Sequence, residues 1–160
     1  MKKKSIIMLL LCSLLLMSIL VGCSHSKRSG DDVKNNNAEL TEALKKIDGN
    51  EFKLSDVTTF EWTTGYFFTP YADKKGIEQT MGIKNEYIKD PVDDREYQIF
   101  FINNNKIVAY LNGKDYTDFY FKYPMAINIT FQKIDPETEF TVTKEMDELV
   151  FEISNLNSNE

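Results

Sequence analysis

Histidine and cysteine are almost missing from this chain of 160 residues. The only histidine is His25, and the two cysteines are Cys12 and Cys23. Past residue 25 there is no imidazole to serve as a general base, so Ser-His-Asp and Cys-His catalysis have no foundation there. The same stretch offers no disulfide and no thiolate nucleophile, and a zinc site built on several His or Cys ligands has nothing to draw on. Glycine is scarce, and Gly49, Gly65, Gly76, Gly82 and Gly113 each stand alone. Neither a Walker-type phosphate loop nor G-x-G-x-x-G is present, and turn and cap duties account for isolated glycines. Positive charge is the minority sign, at 19 basic against 25 acidic side chains. Nucleic acid and anionic lipid surfaces reward clustered Lys and Arg, so neither is an expected partner.

What the chain does have begins at its start. Lys2, Lys3 and Lys4 precede an uncharged apolar run from Ser5 to Gly22. At 18 residues the run is at the lower limit for a bilayer-spanning helix, which needs about 17–25 residues. A retained anchor is therefore one reading. The run ends on small residues and passes at once into a polar stretch, which is the pattern of a cleaved secretory signal.

The closing residues Leu20-Val21-Gly22-Cys23 resemble the lipobox of bacterial lipoproteins, with an aliphatic residue at −3, a small one at −1 and then Cys. The resemblance covers residues 1–23. It implies that the Cys23 thiol receives a diacylglyceryl group and that a type II signal peptidase cuts between Gly22 and Cys23. A single acyl chain holds a protein only marginally and two hold it stably, at about 0.8 kcal/mol per buried CH₂. Cleavage would remove residues 1–22 with three lysines and leave 16 basic against 25 acidic side chains. The frequent Lys, Asn, Ile and Asp resemble the usage of low-GC Gram-positive bacteria.

Residues 23–37 carry one apolar side chain, Val33, and are expected to form a flexible tether. A single α+β domain is expected over 38–155, with a frayed tail at 156–160. Leu40, Leu44 and Ile47 make one helical stripe, which predicts a helix over about 38–47 with Asn37 as cap and Gly49 as stop. The aromatic and Thr-rich run from Asp56 to Tyr71 reads as a strand with Phe60, Trp62 and Phe68 on one face. Gly65 within it marks a bulge or a close backbone approach. Asp73 and Gly82 bracket a second helix over about 74–81, with Ile77 and Met81 facing inward. From Tyr97 the chain reads as a meander. Asn103 to Asn105 join two strands, a break falls at Pro124-Met125, and "KEMD" turns a last hairpin. The sum is two short helices on a mostly antiparallel sheet ending in a β meander.

Two groups of residues are candidates for a site. Trp62, Tyr66 and Tyr71 lie among clustered aromatics; these either alternate between core and covered face or form an exposed platform for a glycan, peptide or protein. The run EWTTGYFFTPY resembles a segment of small lipoproteins of Gram-positive bacteria, a likeness that brings no activity with it. Asp90, Asp93, Asp94 and Glu96 put four carboxylates in one loop that could hold a hard cation such as Ca²⁺, although the spacing is not that of an EF-hand. A solvated acidic loop is the simpler reading. No cofactor is implied.

The resulting expectation is a non-enzymatic binding or accessory protein. It would be held through Cys23 at the extracellular face of the cell membrane and would recognise another envelope protein or a small ligand. A hydrolase using two distant carboxylates, or a modulator of cell-wall or glycan processing, is the alternative from another class. An immunity-type lipoprotein guarding against a secreted toxin is a third.

Overall fold

A computed structural model describes residues 32–93, 96–123 and 130–154. The fold is α+β, with helices α1 (Val33–Lys45), α2 (Leu54–Val57) and α3 (Lys74–Met81). Its strands are β1 (Glu51–Lys53), β2 (Thr64–Phe68), β3 (Gln98–Asn103), β4 (Lys106–Asn112), β5 (Phe119–Lys122), β6 (Phe131–Ile134), β7 (Glu139–Glu145) and β8 (Glu148–Ile153). They divide into two sheets, ordered β1-β7-β8-β5 and β4-β3-β2-β6. Every pairing is antiparallel except β5 with β8.

The existence of two cores has a chemical origin in the doubled phenylalanines of β2 and β3. Adjacent residues on a strand point to opposite faces. Phe67 and Phe101 enter a core shared with the aromatics of the other sheet, including Phe121, Phe140 and Phe151. Phe68 and Phe100 enter a second core with Ile77 and Met81 of α3. The sheet containing β3 is thus covered on both faces, and all residues from Gln98 to Ile102 are buried. A strand buried on both sides has no polar alternation, which is why "QIFFI" reads as a continuous apolar run.

α1 begins at Val33, ahead of the expected start at Ala38. Asp32, not Asn37, is the cap, and its carboxylate accepts from the Asn35 amide at 3.0 Å. Asparagine is a poor helix former, but here tertiary hydrogen bonds override propensity. Asn36 Nδ2 donates to the Val108 carbonyl at 2.8 Å, and Asn37 Oδ1 accepts from the Tyr110 amide at 2.8 Å. These bonds satisfy the outer edge of β4, so residues 32–37 belong to the folded unit and not to a tether. The helix ends at Lys45 with Lys46 as its C-cap, short of Gly49. Residues 23–31 lie outside the described residues, as do the expected break at Pro124-Met125 and the tail.

The expected strand from Asp56 is shorter than its composition suggests. Its first part is the single turn α2 and an extended connection, and only Thr64–Phe68 is strand. Parity therefore breaks at Thr63. Phe60 and Trp62 pack edge-on against Phe101 in the first core, while Phe68 goes to the second. Gly65 is a close approach, as read: a Cβ there would sit 2.8 Å from both the Phe100 carbonyl oxygen and Ile134 Cγ1. α3 runs as read, with Asp73 accepting from the Gly76 amide at 2.8 Å and Gly82 left-handed at φ 68°. Asn104 and Asn105, at φ 48° and 63°, turn the β3–β4 hairpin, and Met146 at φ 54° sits in the β7–β8 turn. β5 and β6, which flank the unread break, lie in different sheets.

Tyr97 ties the two sheets together. It is fully buried, and its hydroxyl accepts from the Phe121 amide at 3.3 Å. Burial pushes its pKa well above the ordinary 10.0. Below pH 10 both the folded and unfolded chains hold this proton, so it adds no pH dependence. Above pH 10 the unfolded chain releases it while the folded chain keeps it, and stability falls by about 1.4 kcal/mol per pH unit for this one group. Urea midpoints measured between about pH 9 and 11 should show that decline, and Tyr97→Phe should flatten it by roughly one proton's worth. An unchanged slope in the variant would assign the decline to other groups.

Candidate functional site

The chain between α3 and β3 is polar in sequence but tightly held. Asn85 starts a turn, accepting from the Tyr87 amide through Oδ1 at 3.0 Å and from the Ile88 amide through its carbonyl at 3.3 Å. Ile88 is buried in the second core. The next residue is clamped. Gln98 Oε1 accepts from the Lys89 amide at 3.1 Å, and Gln98 Nε2 donates to the Lys89 carbonyl at 2.9 Å. A side-chain amide here completes a backbone pairing from the buried start of β3. Asp90 Oδ1 accepts from the Lys74 amide at 2.8 Å, which fixes the segment to the start of α3.

This wall faces β4 and the turn after it. The Tyr87 and Tyr110 rings stack with centroids 4.8 Å apart and planes 19° apart. Together with Glu86, Lys89, Asp90, Asn112 and Asp115 they line a cleft of about 500 Å³. Pockets for small ligands fall in the range of about 300–1,000 Å³. Among the described residues, three carboxylates meet one lysine in this lining. The Tyr110 hydroxyl is held above its usual pKa, first by burial and then by Tyr87, Asp115 and Glu86. Asn112 Oδ1 is buried and has no hydrogen-bond partner among the described residues. A second cleft of about 320 Å³ lies beside the first along the chain, lined by Tyr116, Thr117, Tyr120, Asp93 and Glu148 among others. Asn112 and Asp115 line the first, and Gly113, Tyr116 and Thr117 between and after them line the second.

The aromatic candidates do not form one platform. Trp62 is buried, and its indole Nε1 donates to Thr58 Oγ1 at 3.0 Å, so it is a core residue. Tyr66 packs against the second core, on the other side of the sheet. Tyr71 is exposed at 68%. The acidic loop is dispersed as well. Asp90 lines the first cleft and Asp93 the second. Glu96 is 3% exposed and accepts from the Val92 amide, so it is a structural carboxylate and not a solvated one. Asp94 lies outside the described residues. Among the described residues no three His, Cys, Asp or Glu side chains gather closely enough to hold a metal ion.

Sequence reasoning missed Tyr87, Tyr110, Glu86 and Asp115. The available signal was a tyrosine beside an acid in "NEYIKD", otherwise read as a polar connection. Comparison with models of known families, with curated proteins and with solved structures gives no match.

Proposed function

We propose that this chain is a lipid-anchored envelope protein whose folded domain binds a ligand or partner and does not catalyse a reaction. The observation that carries the binding half is the cleft itself, in which a stacked tyrosine pair and three carboxylates line a space whose 86–90 wall is clamped at Lys89 by Gln98. Binding sites need preorganised walls, and this wall is pinned to β3 and α3 before any ligand arrives. The anchor half rests on Leu20-Val21-Gly22-Cys23 and the charged and apolar segments before it. Among the described residues no helix is long and apolar enough to cross a membrane. The proposal puts the domain at the outer face of the cell membrane, on a linker that ends by residue 32.

Intact mass spectrometry of the protein taken from its native membrane tests the anchor. The expected species lacks residues 1–22 and carries a diacylglyceryl group on Cys23. An unmodified thiol or a retained leader overturns it.

A further inference from the structure

We propose that the cleft between Tyr87 and Tyr110 takes an organic ammonium group. The inference rests on the binding reading above and adds the chemical class of the ligand. Three features of the lining converge on it. Among the described residues, Glu86, Asp90 and Asp115 line the cleft with a single lysine, a balance that favours a cation over an anion. The tyrosine stack adds aromatic quadrupoles, which attract a cation within about 6 Å of a ring. The carboxylates are spread around some 500 Å³ rather than gathered about one point, which suits a bulky, weakly hydrated cation better than a compact divalent ion. The neighbouring cleft repeats the composition, with Tyr116 and Tyr120 beside Asp93 and Glu148.

Two sources share this chemistry: a quaternary ammonium of the choline type and a primary ammonium such as a lysine side chain or a polyamine. The lipid-bearing protein in maltoside micelles is titrated with tetramethylammonium chloride, methylammonium chloride and neopentyl alcohol, an uncharged analogue of similar size and shape to tetramethylammonium, while backbone amide shifts are read by NMR. The expected result is saturating shifts at Tyr87, Lys89, Tyr110 and Asp115 with at least one ammonium probe. Which probe binds names the source. Binding should weaken about tenfold in the Glu86→Gln, Asp115→Asn double variant, whose substituted residues are both exposed. It should weaken also in about 0.5 M salt. Equal shifts with neopentyl alcohol overturn the ammonium inference and leave a binding cleft standing. Shifts elsewhere on the surface, or none that saturate, overturn both.

Discussion

Phe121→Ala should remove about 3–5 kcal/mol of stability, the usual cost of deleting a large aromatic side chain from a packed core. The ring is 1% exposed and sits where the two sheets meet. Its centroid lies 5.0 Å from Phe151, 5.3 Å from Phe140, 5.9 Å from Tyr97, 6.0 Å from Phe119 and 6.2 Å from Phe67. These are edge-to-face arrangements, each worth about 0.5–1.5 kcal/mol beyond burial. The surroundings cannot close over the gap, because four of these neighbours are fixed on strands and Tyr97 stands immediately before β3. Domains of this size are stable by only about 5–15 kcal/mol, so the variant should be partly unfolded at physiological temperature. Chemical denaturation measures the loss. Phe131→Ala, at a 37% exposed ring on an edge strand, is the control and should cost far less. A loss below about 1 kcal/mol at position 121 would contradict the shared core.

Cys23→Ala should have the largest effect on where the protein resides. Under the proposed anchor, the variant has no thiol to receive a diacylglyceryl group. The type II peptidase acts on the lipidated precursor, so residues 1–22 should stay attached. Two acyl chains, at about 0.8 kcal/mol per CH₂, would be replaced by a retained apolar segment of 18 residues. The expected outcome is a membrane-associated precursor, heavier by the leader, that takes up no fatty-acid label. Growth with an alkyne fatty acid, followed by gel mobility and label detection, reads both changes. Undiminished label in the variant sinks the anchor.

What could be read from sequence was set locally. α3 carries its own start and stop in Asp73 and Gly82, and its stripe in Ile77 and Met81. The β3–β4 hairpin carries its turn in Asn104 and Asn105, residues that tolerate positive φ. Where a partner lies far along the chain, the reading stopped. The start of α1 depends on carbonyl and amide groups of β4 some 72 and 73 residues away, and nothing between Asp32 and Asn37 announces them. The parallel pairing of β5 with β8 leaves no mark on either strand's periodicity. The cleft is hidden for the same reason. Tyr87 and Tyr110 are neighbours across the fold, with Lys89 clamped by Gln98 to the start of β3, the strand that pairs with β4. The aromatic run at 60–71 misled because composition shows that rings will be buried but not which core receives them.

The position of β8 has a consequence for how the chain acquires its shape. It is the last strand among the described residues, yet it lies inside its sheet, between β7 and β5. β1, near the other end, joins that sheet only through β7. Neither β1 nor β5 has a neighbour to pair with until residues 139–153 have been made. That sheet therefore closes only when its C-terminal strands are present, a non-local assembly of the kind that slows folding, whereas β2, β3, β4 and β6 can pair without them.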